Sequence, residues 1–285
     1  MAAPSTIAVL ATLDTKGVEA DFIRAHLESL GCGVLFVDIG VVDPPTVEPH
    51  LTRDQVADAA GTSMRSVLEN PTRQDASDVM VRGASALLQG MVAQGTINGV
   101  IGLGGTQGTP NCTAIMRSLP YGFPKVMVST MASGDVGAFV DIKDITMMFS
   151  VADILGLNPL TRRILANAAG AAHGMAKAST RVEAAPDDRK VIGMTNLGVL
   201  TDGAMKAMAM LEQRGYEVIV FHAVGSGGRA MEQLMREGVI HGVFDYAMGE
   251  ISDELFGGFR AADANRLTVA GSLGLPQVIC PGGSE

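Results

Sequence analysis

The sequence contains no tryptophan and only three cysteines in 285 residues. The scattered thiols of Cys32, Cys112 and Cys280 are too few for a disulfide framework or a cysteine-rich metal cluster. We therefore expect no structural zinc, and the cysteine usage is typical of a reducing cytoplasm. Cys112 lies near a predicted helix start, where a helix dipole lowers a thiol pKa. Because no sequence signature supplies it with a base, we interpret it as a small packing residue.

Runs of Lys and Arg are also absent, and no apolar stretch reaches the roughly 20 residues of a membrane-spanning helix. The chain carries 21 Lys and Arg against 30 Asp and Glu, a formal net charge of -9. These features argue against nucleic acid and membrane as partners. The N-terminus shows no basic segment followed by an apolar leader, and so we expect a cytoplasmic protein. An anionic ligand must then be bound locally, by loop amides and a few cations.

Apolar runs rich in Val and Ile alternate with helical patterns, which predicts repeated βα units and an α/β fold with largely parallel sheets. The length is sufficient for two domains. Residues 181–189 are polar, contain a proline and lack periodicity, as a linker does. We predict two Rossmann-like domains with flanking helices, the first over residues 1–180 and the second, incomplete one over residues 190–285.

The predicted strands and helices alternate in the same way in both halves. In the first half we predict strands at 6–13, 34–39, 100–103, 125–129 and 145–151, and helices at 17–30, 75–94, 109–118 and, after Asn158-Pro159, within 153–177. In the second half we predict strands at 190–194, 217–221, 239–244 and 277–280, and helices at 202–214 and 229–237. The Ala-rich helix around residues 164–175 is suited to packing either inside a domain or between subunits. The sequence is therefore compatible with both a monomer and a homo-oligomer.

A glycine-rich loop directly after an apolar strand is the most informative local feature. It contains Gly104, Gly105, Thr106, Gly108 and Thr109. Glycines let the backbone approach an oxyanion, threonine hydroxyls add donors, and the next helix presents unpaired N–H groups. The loop has neither the Gly-Lys-Ser/Thr ending of a P-loop nor the third glycine of Gly-x-Gly-x-x-Gly. It predicts a phosphate or carboxylate site, and the alternative is a tight turn that binds nothing.

Polar residues follow the first two predicted strands and are expected at the same sheet edge. Thr12, Asp14, Thr15 and Lys16 combine hydroxyls, a carboxylate and an ammonium group. Asp14 is a candidate magnesium ligand or base, and Lys16 a candidate phosphate partner. Alternatively, Asp14 or Thr15 only caps a helix. Asp38 ends the second strand, where an acidic residue often forms hydrogen bonds with ribose hydroxyls. The alternative is a solvated strand end without a ligand.

The loop after the fourth predicted strand adds further small and hydroxylated residues to this edge. They are Thr130, Met131, Ala132 and Gly134. Several such loops at the carboxyl ends of strands make a ligand cleft a stronger prediction than any single loop does.

In the second half, one strand ends at Thr195 and Asn196, and another leads into a second glycine loop. The candidate substrate-binding residues there are Thr195, Asn196, His222, Gly225, Gly227, Gly228 and Arg229. The loop fits Gly-x-Gly-x-x-Ala, with Asp245 about 20 residues further on, which is the dinucleotide spacing. We rank NAD low, because this motif arises readily in α/β chains and Arg229 equally suits a phosphate or carboxylate. His222 is the best-placed acid or base, or else an ordinary strand-end residue.

No serine lies in a Gly-x-Ser-x-Gly turn, so a hydrolase triad has no support. The histidines show no metal-ligand spacing, and no protein metal site is predicted.

Longer motifs resemble a family that includes the plant resistance protein against tomato mosaic virus and many uncharacterised bacterial proteins. They lie at residues 7–17, 100–109, 124–134, 144–148, 156–158, 167–169, 222–231 and 257–258. The resemblance implies an N-terminal domain classed as ATP-binding, joined to a second α/β domain. It also implies family chains that continue past Glu285, so we expect the family's C-terminal part to be missing here. Viral inhibition is a surface property and is not transferred to this chain.

The resemblance implies ATP, with Mg²⁺, as the cofactor of the first domain. Thr12, Asp14 and Lys16 would then face phosphate or magnesium, beside the loop at 104–109 and residues 130–134. Our leading hypothesis is an ATP-dependent, phosphotransferase-like enzyme that acts on a small anionic metabolite in the interdomain cleft. Asp14 and Lys16 would act with His222, Arg229 and Asp245 as its catalytic residues. The alternatives are a non-catalytic nucleotide-binding regulator and a nucleotide-independent isomerase, lyase or hydrolase of an anionic metabolite.

Overall fold

The computed structural model describes residues 4–69, 72–179 and 189–284. The chain divides into two compact units, Met1–Glu183 and Ala184–Glu285. Each unit is built on one sheet whose strand pairs are all parallel. The predicted α/β class with two Rossmann-like domains is therefore confirmed. Residues 181–188 of the predicted linker lie outside the described residues.

The first unit contains a five-stranded sheet and seven described helices. Its strands are β1 (Thr6–Ala11), β2 (Gly33–Asp38), β3 (Gly99–Gly104), β4 (Lys125–Ser129) and β5 (Thr146–Phe149). Its helices are α1 (Leu13–Ser29), α2 (Arg53–Ala59), α3 (Met64–Glu69), α4 (Arg73–Ala93), α5 (Gly108–Arg117), α6 (Gly137–Val140) and α7 (Pro159–Ser179). The strand order is β2-β1-β3-β4-β5.

Apolar cores cover both faces of this sheet, because alternate residues of a strand point to opposite faces. Ile7 and Val9 of β1 pack with α1 and α7, whereas Ala8 and Leu10 pack with α2, α4 and α5. Burial on both faces explains why β1 and β3 are nearly continuous apolar runs. The small-residue face of α7 lies inside this unit, where Ala168, Ala172 and Ala176 are fully buried.

Two short helices between β2 and β4, α2 and α3, were not predicted. Thr52 starts α2 with a reciprocal capping box, accepting from the Gln55 backbone N–H while the Gln55 side chain accepts from the Thr52 N–H. α1 starts at Leu13, four residues earlier than predicted, and has non-helical dihedral angles at Lys16 (φ -124, ψ 16). The extra turn before this kink carries Asp14 and Thr15 at the end of β1.

The second unit contains a four-stranded sheet in the order β7-β6-β8-β9. Its strands are β6 (Val191–Asn196), β7 (Glu217–His222), β8 (Gly242–Ala247) and β9 (Gln277–Gly282). Its described α-helices are α8 (Thr201–Glu212), α9 (Ser226–Arg236), α10 (Gly249–Phe256) and α11 (Thr268–Ser272). β8 begins three residues later than predicted, because Ile240 packs into the core before the strand starts. Helices α10 and α11 were not predicted.

Within the described ranges, none of the helices combines the length and the apolar character that crossing a membrane requires.

Candidate functional site

The carboxyl ends of β1, β2 and β3 surround a cavity in the first unit. The chain leaves β1 toward β2 on one side and returns to β3 on the other, which makes this edge a topological switch point, where open α/β sheets bind ligands. The cavity has a volume of about 250 Å³. Its lining residues are Thr12, Asp14, Thr15, Lys16, Ile39, Val41, Val42, Ser77, Gly104, Gly105, Gln107, Gly108 and Asn111.

The glycine loop between β3 and α5 supplies the backbone donors of this cavity. No described residue accepts a hydrogen bond from the backbone N–H of Gly105, Thr106 or Gln107. These groups lie at the N-terminus of α5, where the helix dipole favours negative charge. A Cβ on Gly104 would lie 2.6 Å from the Gly108 Cα, so the loop closes this tightly only with glycine. The loop therefore has the features of an anion site.

Thr109 contributes to the loop from inside the fold. Its buried hydroxyl donates to the Gly104 carbonyl (3.2 Å) and lies 2.7 Å from the Ser129 hydroxyl. It does not line the cavity, so its predicted contact with a ligand is replaced by a structural role. Thr106 is exposed and also lies outside the lining.

The first turn of α1 supplies the charged groups of the cavity. The Asp14 carboxylate accepts hydrogen bonds from the backbone N–H groups of Thr15 (2.8 Å), Val42 (3.2 Å) and Asp43 (3.3 Å). It thereby connects α1 to the loop after β2. The Lys16 ammonium donates to the Ile154 carbonyl, and no described carboxylate forms an ion pair with it. Lys16 and Asp14 therefore bring one positive and one negative group to the cavity without a described ion pair between them.

Asp38 has a different position from the one predicted. Its buried carboxylate accepts from the backbone N–H groups of Leu13 (3.1 Å) and Gly40 (2.8 Å) through Oδ1, while Oδ2 has no partner among the described residues. Burial raises its pKa, and Asp14 raises it further, against the lowering effect of the two backbone bonds and of Arg53. Asp38 does not line the cavity. The structure thus gives it a role in orienting α1 in place of the predicted contact with ribose.

The loop after β4 is hydrogen-bonded to the start of the glycine loop. The Thr130 N–H donates to the Gly104 carbonyl (3.3 Å), and the Met131 N–H donates to the Ser129 hydroxyl (2.9 Å). Thr130, Met131, Ala132 and Gly134 do not line the cavity, although they were predicted to complete the pocket.

Three polar residues of the cavity were missed in the sequence. Ser77 comes from α4, and Gln107 and Asn111 lie at the start of α5. Asn111 lies in the predicted helix at 109–118, and Gln107 precedes it by four residues, so a helix extended back by two residues would have placed both on one face. Ser77 has no comparable signal, because only the tertiary packing of α4 brings it to this edge.

The glycine loop of the second unit is filled by the protein itself. Gly225 (φ 90) precedes α9, and the buried Glu250 accepts from the backbone N–H groups of Gly225 (2.8 Å) and Gly228 (2.9 Å). A Cβ on Gly228 would lie 1.9 Å from Glu250 Oε2, and one on Gly227 would lie 1.8 Å from the His222 carbonyl. The glycines therefore admit internal groups. The amides of Gly225 and Gly228, which the sequence offered to an anionic substrate, therefore bond to Glu250 in this structure.

Glu250 belongs to a buried ion cluster around Arg266. The Arg266 guanidinium donates to Glu250 (2.9 Å), to Glu232 (3.2 Å) and to Asp245. Burial alone would lower the pKa of Arg266, but its bonds to Asp245 and Glu250 outweigh burial and raise it. Burial raises the pKa of Glu232. Asp245 is fully buried and also accepts from the Gln277 side chain (2.9 Å), so the predicted catalytic role of Asp245 is replaced by a structural one.

The remaining candidates of the second unit lie near the ends of β6 and β7. Asn196 and His222 are paired in register, and His222 is exposed. The Thr195 hydroxyl is buried and accepts from the Ala247 N–H (3.0 Å). Arg229 Nε lies 3.7 Å from the Asp263 carboxylate. Among these candidates, His222 is thus the exposed one.

Two further predictions concerned a packing role for Cys112 and the lack of a protein metal site. Cys112 is fully buried beneath the glycine loop, and burial raises its pKa to about 12, as expected of a packing residue. In the part of the chain that the structure describes, no three His, Cys, Asp or Glu side chains gather as a metal site.

Family models match both units of the chain. The model of the uncharacterised protein family UPF0261, N-terminal domain, matches residues 5–181, and the C-terminal domain model of the same family matches residues 189–285. The expectation that the family's C-terminal part is missing is therefore wrong.

Relatives from bacteria and a plant support this match. A UPF0261 protein of Clostridium tetani is 44% identical over 279 residues, which cover 97% of this chain and 68% of that protein. The ToMV susceptible protein tm-1(GCR26) of Solanum lycopersicum is 36% identical over 291 residues, which cover 96% of this chain and 39% of that protein. The chain spans about two thirds of the length of the bacterial relatives it matches.

A solved structure, the ABC domain in complex with L-Trp from Streptococcus pneumonia, aligns over 99% of this chain and 75% of that chain. Its sequence identity is 12% and its TM-score is 0.28, so it carries no argument about this protein.

Proposed function

The chain belongs to the UPF0261 family, and on that premise we propose that its first domain binds the phosphate groups of ATP. We further propose that the protein is an ATP-dependent enzyme acting on a small anionic metabolite. The observation that carries the proposal is the set of backbone N–H groups at Gly105, Thr106 and Gln107 that no described residue accepts. Gly105 and Gln107 are half-buried and line the cavity. Half-buried donors are normally paired, so donors left open there indicate a ligand that accepts from them.

Lys16 supports an anionic ligand for a second, electrostatic reason. Lys16 lines the same cavity, and its ammonium is bonded to a neutral carbonyl, that of Ile154. A lysine that forms no ion pair adds positive charge near the N-terminus of α5, and both favour phosphate. The hydroxyl groups of Thr12 and Thr15, which lie 2.9 Å apart and bond to each other, line the same cavity.

The residues of the cavity fit a nucleotide with its magnesium ion. Mg²⁺ is usually held by one or two carboxylates together with substrate phosphates, and Asp14 is the carboxylate that lines the cavity. Bound there, the ion would neutralise charge on the phosphate oxygens. The volume of about 250 Å³ lies below the roughly 300–1,000 Å³ of sites that enclose whole drug-sized ligands, so it suits the phosphate-bearing end of the ligand.

Phosphoryl transfer depends on positioning and charge neutralisation more than on covalent chemistry by the protein. Lys16 and the loop amides would stabilise negative charge on the transferred group, and Asp14 would orient the metal. In the second domain, His222 remains the proposed acid or base for the acceptor, and Arg229, which lies near Asp263, remains a proposed contact for its negative charge.

The small volume of the cavity also favours a second candidate, an enzyme that uses no nucleotide and binds an anionic metabolite directly. A sugar phosphate would engage the same loop amides and Lys16. This candidate and the first differ in which ligand stabilises the native protein.

Thermal unfolding with Mg²⁺ and separate additions of ATP, ADP, NAD and sugar phosphates tests both candidates. A ligand at one hundred times its Kd stabilises the native state by about 2.7 kcal/mol. We expect ATP to raise the melting temperature and NAD to leave it unchanged. A shift with sugar phosphates but not with ATP would replace the first candidate by the second.

A matched pair of variants ties the ligand to the cavity. Lys16→Met should weaken the binding of the stabilising anion about ten- to hundredfold, as expected when a charge-assisted hydrogen bond is lost. Lys206→Met removes the same charge from an exposed position on α8 and should leave binding unchanged. Equal effects of the two variants, or no effect of Lys16→Met, would overturn the proposed site.

A further inference from the structure

One side of the cavity carries no charged group and forms what we call the polar wall, composed of Ser77, Gln107 and Asn111. The side chains of Gln107 (3.2 Å) and Asn111 (3.3 Å) both donate to the Ser77 hydroxyl oxygen. Ser77 and Asn111 are each 8% exposed, and both line the cavity. The wall is therefore a preformed and largely buried feature.

The polar wall retains hydrogen-bonding capacity that the described residues do not use. Because the Ser77 oxygen accepts two bonds, its own hydroxyl hydrogen is left to donate, and no described residue accepts it. The side-chain carbonyl oxygens of Gln107 and Asn111 also have no donor among the described residues. Nearly buried polar groups normally have partners, so this wall is complementary to a ligand that both donates and accepts.

The position of the wall limits the size of that ligand. Asn111 lies four residues after Gln107 on α5, which corresponds to about 6 Å along the helix axis. The open amide of Gln107 lies at the start of this interval. A ligand that touches both features must therefore carry an uncharged donor and acceptor within roughly 6 Å of its anionic group. A hydroxyl group is such a donor and acceptor, whereas a second phosphate or carboxylate would meet no cation on this wall.

We infer that the cavity binds a phosphate ester of a polyol, such as ribose 5-phosphate. Ser77 and Asn111 form hydrogen bonds with its hydroxyl groups. The phosphate would accept from the loop amides, and the hydroxyls would face the polar wall. The shared chemistry occurs both in a free sugar phosphate and in the ribose phosphate part of a nucleotide. The inference rests on the proposed anion site, and it adds the chemical class that the site distinguishes from bare phosphate.

Calorimetric titration of the full chain with inorganic phosphate, ribose 5-phosphate, ATP and 2′,3′-dideoxy-ATP tests this inference. We expect ribose 5-phosphate to bind more tightly than inorganic phosphate. Tighter binding of ATP with a loss for dideoxy-ATP would identify the nucleotide as the source of the polyol phosphate. Tighter binding of ribose 5-phosphate than of ATP would identify a free sugar phosphate.

The variant Ser77→Ala should weaken ribose 5-phosphate binding about three- to tenfold and leave inorganic phosphate binding unchanged, because one neutral hydrogen bond is lost. Ser85→Ala, on the same helix α4 but outside the cavity lining, is the matched control and should change neither. Melting of both variants without ligand verifies that they fold.

Two results would separate the inference from the proposed function. If inorganic phosphate binds but the hydroxyls add nothing, or if Ser77→Ala weakens both ligands equally, the inference is overturned and the anion site stands. If none of the anions binds, the proposed function is overturned together with the inference.

Discussion

The Glu250 carboxylate accepts a hydrogen bond from the backbone N–H of Gly228, 2.9 Å away, at the start of α9. The chain thus supplies its own anion to the glycine loop of the second domain. In the first domain, the amides of Gly105, Thr106 and Gln107, which precede α5, have no described acceptor. Two glycine-rich loops therefore differ in whether the chain itself supplies an acceptor for their amides. This contrast favours the first domain as the place where an external anion binds.

Removal of Glu250 should strongly destabilise the protein. Glu250→Ala leaves two buried amides without an acceptor and Arg266 with one carboxylate fewer, and breaking a buried pair costs about 3–5 kcal/mol. Chemical unfolding measures this loss. The matched control is Glu254→Ala, which removes an exposed carboxylate from the same helix and should change the free energy of unfolding by less than about 0.5 kcal/mol. Similar values for the two variants would contradict the role of Glu250.

Two glycines of α4 should respond to alanine in opposite directions. A Cβ on Gly83 would lie 1.8 Å from the Val56 carbonyl oxygen of α2, whereas a Cβ on Gly90 meets nothing within 4 Å. Gly83→Ala should cost about 1–3 kcal/mol through overpacking, and Gly90→Ala should add about 0.5–1 kcal/mol of stability through helix propensity. Chemical unfolding of both variants tests the packing of α2 on α4. A stabilising Gly83→Ala would show that the two helices do not make this contact.

The same contact illustrates what the sequence conveyed and what it did not. β3 and the glycine loop were predicted because a buried parallel strand is a continuous apolar run and a glycine cluster marks its end. α2 was missed although Thr52 and Gln55 have the spacing of a capping box, a local signal that was available. The contact between α2 and α4 joins Val56 to Gly83, 27 residues later in the chain. Contacts between such distant residues leave no periodic pattern in the sequence.

The candidate site shows the same limit more strongly. Asp14, Lys16 and the glycines were found because each follows a strand whose carboxyl end reaches one sheet edge. Ser77 reaches that edge only through the packing of α4. Glu250 bonds to Gly228 of the second glycine loop although the two residues are 22 positions apart in the sequence. Tertiary contacts of this kind decide whether a glycine loop is open or filled, and composition alone does not reveal them.

The stability of the protein should depend on pH through Asp38. Burial raises the pKa of Asp38 in the folded state, so the folded protein takes up this proton more readily than the unfolded chain. The stabilising contribution of Asp38 is therefore complete at low pH and is lost as the pH rises through the raised pKa. Asp38→Asn removes this dependence while it keeps an acceptor for the Leu13 N–H.

Unfolding free energies of the wild type and Asp38→Asn, measured from about pH 4 to pH 7, test this prediction. The wild type should lose stability relative to the variant as the pH rises. Asp58→Asn, an exposed change on α2, is the control and should show no such trend. A wild type that gains on Asp38→Asn with rising pH would contradict the raised pKa.

Cys112 should resist thiol reagents in the native protein. Its pKa of about 12 leaves almost no reactive thiolate near neutral pH, and its side chain is fully buried. In a variant with Cys32→Ser and Cys280→Ser, a chromogenic disulfide reagent should detect no thiol until denaturant is added, and then one. Rapid labelling of the native variant would show that Cys112 is accessible.

The open amides before α5 are the centre of the proposed site, and a backbone amide titration by NMR observes them directly. Addition of Mg²⁺ and ATP, or of ribose 5-phosphate in parallel, should move the amide resonances of Gly105, Thr106 and Gln107. The resonances of Gly225 and Gly228 should not change, because Glu250 already binds those amides. Unchanged resonances at 105–107 with saturating ligand, or changes confined to the loop at 225–228, would contradict the proposed site.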